Sequence, residues 1–183
     1  MKSVLLLLGV LLAPAAPAQS PYAGQESRAI KALSAEEISA FLEGKGQGFA
    51  KPAELNGFPG PMHVLELAEA LQLTPAQHDA TQRLLERHKS EARALGREWV
   101  ENEKAIERLF ASREANAPAV AAAVAKSAEI HARIRTSHLV AHLEQTALLQ
   151  PAQLSAYNKL RGYEAGGAGH AGHGARGGQG HKH

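Results

Sequence analysis

One short pattern occurs twice in the chain, as Leu73-Thr74-Pro75-Ala76-Gln77 and as Leu149-Gln150-Pro151-Ala152-Gln153. No other feature constrains the fold as tightly. In the first copy Thr74 is a helix cap, its hydroxyl accepting from an otherwise orphaned backbone N–H. Pro75 suits the first helical position, where no N–H is needed. Gln77, three residues after the cap, can reach back and close a capping box. Leu73 is placed to staple onto the first turn. The sequence between the copies is rich in Ala, Leu, Glu, Lys, Arg and Gln, all good helix formers, so both copies read as starts of helices.

A long helix is therefore expected from Thr74 to about Ala111, roughly 55 Å of rod. Leu85, His88, Ala92, Leu95, Trp99, Asn102, Ile106 and Leu109 recur at alternating gaps of three and four, the spacing of a seam against another helix. Arg113 to Asn116 reads as a turn, with Asn116 as the next cap. A second long helix follows from Ala117 to about Leu149, with Val120, Val124, Ile130, Ile134, Ala141 and Leu148 on its apolar side. A short connection makes the two antiparallel neighbours. A last helix spans about 151–161. Upstream, Ser34 and Glu37 form a capping box for a short helix to about Glu43. Gly44, Gly46 and Gly48 make a flexible loop, Pro52 to Pro61 reads as turns, and another short helix spans about Met62 to Leu71. The fold class is all-α: a long antiparallel helical hairpin with short flanking helices in a domain over 34–163.

The ends set the compartment. Met1 and Lys2, an apolar run from Val4 to Leu12 and Ala16-Pro17-Ala18 form an export signal, cleaved after Ala18. The run is too short to span a bilayer. Residues 19–33 read as a flexible lead. The chain has no cysteine, so an exported protein of this kind relies on helix packing or association. From residue 164 the tail is Gly- and His-rich and reads as disordered. The formal charge of +2 is close to neutral and carries no nucleic-acid signature.

The signal, the Leu-Thr-Pro-Ala-Gln pattern at 73–77, its second copy at 149–153 and the long helix pair resemble the Spy/CpxP family of periplasmic LTxxQ-motif proteins. Over roughly 61–163 the family motif residues would be Leu73, Thr74, Pro75, Gln77, Leu149, Pro151 and Gln153. Gln150 departs from the family's threonine, which weakens the second cap. The resemblance implies a cradle-shaped helical homodimer in the periplasm. It also implies a chaperone that binds unfolded proteins without ATP, an inhibitor of a membrane stress sensor, or a zinc-, nickel- or cobalt-responsive protein like the ZraP- and CnrX-type relatives.

Two sets of residues could carry these roles. Arg87, Arg93 and Arg97, interleaved with glutamates, and the apolar Leu95, Trp99, Ile106 and Phe110 could form a client surface, with Trp99 better suited to the seam. His131, His138 and His142 share one stripe of the second long helix, the last two one turn apart. His63 and Glu66 could approach them. His88 reads as a partnered core-edge residue. The tail's His170, His173, His181 and His183 could chelate divalent metal loosely. Zinc, nickel, cobalt or copper would suit these imidazoles. No Gly-x-Ser-x-Gly elbow, cysteine nucleophile, His-Glu-x-x-His run or phosphate-binding loop points to an enzyme.

Overall fold

The computed structural model describes residues 20–163, and every described element is helical: α1 (Ala35–Leu42), α2 (Lys51–Glu54), α3 (Pro61–Glu66), α4 (Pro75–Ala111), α5 (Ala117–Ala147) and α6 (Pro151–Leu160). The expected export signal (1–18) and the Gly/His tail (164–183) lie outside the described residues. Among those described, no helix is long and apolar enough to cross a membrane.

The helix starts follow local chemistry. Ser34 and Glu37 cap α1 reciprocally, at 3.1 and 2.8 Å. Thr74 and Gln77 do the same for α4, at 3.2 and 3.1 Å. Asn116 accepts from the Ala119 N–H at the start of α5. Each long helix carries proline in its first turn. The turn between them is closed by Arg113 at φ +61°.

α4 and α5 lie side by side. The residues bonded across them descend along α5 as they ascend along α4: Gln77 with Leu148, Thr81 with Gln145, Arg87 with Glu144, Glu91 with Ser137, Glu98 with Arg133 and Asn102 with Ser127. Two apolar clusters hold the remaining elements. The first joins Ile30, Leu33 and Phe41 to Leu95, Val100, Ile130 and Ile134. The second joins Val64 and Leu71 to Leu149 and Tyr157.

Several expectations change. α1 and α3 also pack on α4. Its buried face is therefore broader than a two-helix seam: Thr81, Leu84, Ala92, Leu95, Gly96 and Val100 are buried, whereas Leu85 and His88 lie at the edge. Gly96 explains how α1 comes so close. A Cβ there would meet the Phe41 carbonyl oxygen at 1.9 Å. On α5, Val124 is exposed rather than seamed. α3 ends at Glu66, not Leu71, and the chain turns through Gln72 at φ +51°. The turn region contains α2. The supposed flexible lead is anchored: Ile30 and Leu33 are buried, and Lys31 bonds Glu107 through its backbone N–H (3.2 Å) and its ammonium.

Candidate functional site

The repeated pattern forms a lock between its two copies. The Gln77 and Gln153 carboxamides face each other, Gln77 Nε2 donating to Gln153 Oε1 (2.8 Å) and Gln153 Nε2 to Gln77 Oε1 (3.1 Å). Their second protons go to the Leu148 carbonyl (2.9 Å) and the Leu71 carbonyl (3.1 Å). Each Oε1 also accepts the N–H at its own helix start, Thr74 for Gln77 and Gln150 for Gln153. Two donors and two acceptor positions are thus used on each amide, the full capacity of a glutamine. Leu73 and Leu149 pack at the same junction. Pro75 and Pro151 each open a helix beside it. The motif residues are therefore structural here. The Gln150 side chain is not required for that lock, because Gln153 uses the Gln150 backbone N–H.

The expected client residues separate. Leu95 is buried in the first core cluster and is not available as surface. The seam spacing already placed it inward, and it packs with Phe41 of α1 as well as with Ile130 and Ile134 of α5. Trp99 is half-buried against Phe41, ring centroids 5.6 Å apart. Ile106 is half-buried, while Arg87, Arg93 and Arg97 are exposed. Arg87 pairs with Glu144 and Arg93 reaches the Glu43 carbonyl. Phe110 is 59% exposed, and α5 adds Val124 (52%), Val140 (40%) and Leu143 (53%). The last two were missed because they stand outside the buried stripe of α5, Val140 at the edge of the groove against α4 and Leu143 on the far side.

The histidines also separate. His63 Nδ1 pairs with Glu66 at 2.8 Å. His142 turns toward α2 and the following loop. Its Nδ1 donates to the Phe58 carbonyl (2.7 Å), with Glu54 at 3.6 Å. Glu54 is a hub that also accepts from Tyr157, Tyr163 (3.1 Å) and the Gly60 N–H (3.2 Å). Burial, then the bond to Glu54, pushes the Tyr157 hydroxyl far above the usual tyrosine range.

His131 and His138 belong to a run of rings. Trp99 stacks near His131 (5.4 Å), His131 on the edge of Phe49 (5.1 Å), Phe49 near His138 (5.7 Å), and His138 edge-to-face with His88 (4.6 Å). The pair one turn apart on α5 thus points to different neighbours, His138 to His88 and Phe49, His142 to Phe58 and Gly60. Among the described residues no three His, Cys, Asp or Glu side chains are grouped to hold a metal ion. The tail histidines fall outside the described residues. Burial lowers the pKa of His138 against the opposing pull of the Ile134 carbonyl. His88 is pushed down to about 4, by burial first and then by His138, His142, Arg87 and Lys89. Periodicity could place His88 and His138 on facing helices but could not set the rings edge-to-face.

No known family model, curated protein or solved structure matches the chain.

Proposed function

We propose that this is an exported periplasmic protein that binds unfolded or stress-damaged proteins without ATP, acting as a homodimer whose long antiparallel hairpin forms a cradle. The observation that carries this reading is the set of exposed apolar side chains on the two long helices, Phe110, Val124, Val140 and Leu143. They stand among the exposed charges Arg87, Arg93, Arg97, Glu129 and Arg133. Charge attracts a client over a distance of about 10 Å at moderate salt. The scattered apolar groups then cover its exposed segments weakly, which competes with aggregation and needs no nucleotide. The resemblance to the LTxxQ-motif family supports the dimer, the compartment and a membrane stress sensor as a further partner.

The test is suppression of aggregation. The mature protein is mixed with a chemically denatured client and light scattering is followed. Absence of suppression at one dimer per client removes the reading. Sedimentation velocity tests the dimer, and cell fractionation tests export.

A second reading, a heavy-metal binding or resistance role, is favoured by one observation: the Nε2 atom of His138 is buried without a hydrogen-bond partner.

A further inference from the structure

We infer that the outward face of α5 is a self-association surface, on which a second copy of this chain packs its own α5 antiparallel about a two-fold axis at Ala132. The inference rests on the homodimer reading and assigns its interface.

α5 is apolar on two opposite sides. Ile130, Ile134 and Ala141 are buried against the rest of the chain. Half a turn away lie Ala121, Ala125, Ala128 and Ala132, all exposed, at the three- and four-residue steps that keep side chains on one face. Thr136, Leu139 and Leu143 continue the same row, Leu143 at 53% exposure. No charged residue interrupts the row from 121 to 143, about 33 Å of helix. A surface helix turns a charged face to solvent, whereas a helix apolar all round is covered all round. The exposure of the row shows that none of the described elements covers it.

The row is graded in size, and the grading chooses the occupant. Its first half is alanine and its second half carries the bulk. A parallel copy would set Leu139 and Leu143 against themselves and leave alanine facing alanine at the other end. A copy reversed about Ala132 sets Leu143 on Ala121, Leu139 on Ala125 and Thr136 on Ala128, large on small throughout. A two-fold interface has to match itself in this way, and an unrelated partner imposes no such grading. Alanine at the centre lets the two helix axes approach to about 8 Å. The rim charges agree. Glu129 and Arg133 stand exposed on one edge of the row and already face each other within the chain at 3.9 Å. In the reversed copy the second chain's Arg133 falls on the same edge, within ~3 Å of Glu129 along the axis, so opposite charges meet twice across the seam. Arg135, on the other edge, lies ~9 Å along the axis from its own counterpart and keeps its head in water. Leu143 then belongs to the seam, while Phe110, with Val124 and Val140 at the rims, stays open to clients.

The test uses the full mature chain. Sedimentation velocity of the parent should give a dimer. Ala132→Glu puts like charges on the axis at an exposed position, and should raise the dissociation constant at least a hundredfold without changing the circular dichroism spectrum. Register is read by oxidation, because the chain has no cysteine of its own. Ala132→Cys should cross-link to itself. Ala121→Cys and Leu143→Cys should each fail alone, their copies lying ~33 Å apart, and should cross-link when the two variants are mixed. Ready cross-linking of Ala121→Cys to itself would make the copies parallel and overturn the inference. An Ala132→Glu protein that stays dimeric would also overturn it, leaving the homodimer and the client role standing. A parent that sediments as a monomer at every concentration overturns this interface and the homodimer together, and suppression of aggregation by that monomer would still uphold the client role.

Discussion

At the residue scale, Gln77 and Gln153 show how little a short motif needs to contain. A glutamine three positions after a helix cap closes its own box. Two such boxes placed face to face satisfy every polar group of both amides. Gln77→Ala strands the Gln153 amide and leaves the Leu148 carbonyl and Thr74 N–H without their partner. A loss of ~2–3 kcal/mol is expected, because unpaired half-buried groups are penalised more than a bond is worth. Gln153→Ala should cost about the same, and the double variant much less than the sum. Urea unfolding of the four proteins measures this, and strict additivity would contradict the reciprocal pairing.

Histidine protonation gives a second residue-scale expectation. His88 lies near 4 when folded against an ordinary value of 6.5. Its folded pKa is depressed, so between those limits the unfolded chain binds more protons than the folded one. Stability is complete above about pH 6.5 and declines as pH falls toward 4, with His138 adding to the decline in the same direction. The urea midpoint measured from pH 7.5 to 4 should fall across this window, and His88→Gln should flatten the slope.

At the scale of elements, α1 depends on one missing methyl group. Alanine in mid-helix is normally better than glycine by ~1 kcal/mol. At position 96 the added carbon would lie inside the Phe41 carbonyl. Both are backbone-tied, so a helix must move. Gly96→Ala is expected to destabilise by about 2 kcal/mol despite its better propensity. It should also shift Trp99 fluorescence as Phe41 leaves the indole. An unchanged melting temperature and spectrum would show that α1 does not dock there. α2 has only four residues, yet its Glu54 gathers Tyr157, Tyr163, Gly60 and His142 around one carboxylate. No periodicity can announce such an element, since its start has no side-chain cap and its stability comes from the hub.

At the scale of the whole molecule, the end of the α4–α5 pair where the turn at Arg113 joins them is the least covered of the described regions. Phe110 and Val124 are exposed there, and the core clusters lie nearer the other end. Phe110→Ser with Val124→Ser should leave the melting temperature within a few degrees, since exposed substitutions change stability by about 0.5 kcal/mol. Aggregation suppression should fall several-fold in the same protein. Equal suppression would move the client surface elsewhere, with Val140 and Leu143 the next residues to change.

What could be read from the residues alone was whatever local chemistry decides. The starts of α1, α4, α5 and α6 follow from Ser34, Thr74, Asn116 and the proline after Gln150, because a cap satisfies backbone groups within three residues of itself. The long all-helical middle follows from propensity and a sustained period. Tertiary packing decided which way each face turned. Leu95, expected both on the seam and on a client surface, is buried in a cluster that joins Phe41 of α1 to Ile130 and Ile134 of α5, and Ile30 and Leu33 of the lead join the same cluster. His138 was separated from its helical neighbour His142 and paired with His88 across 50 residues. Helical spacing places side chains on a stripe, but which groups meet depends on contacts between residues far apart in sequence, and these form only once the helices have packed.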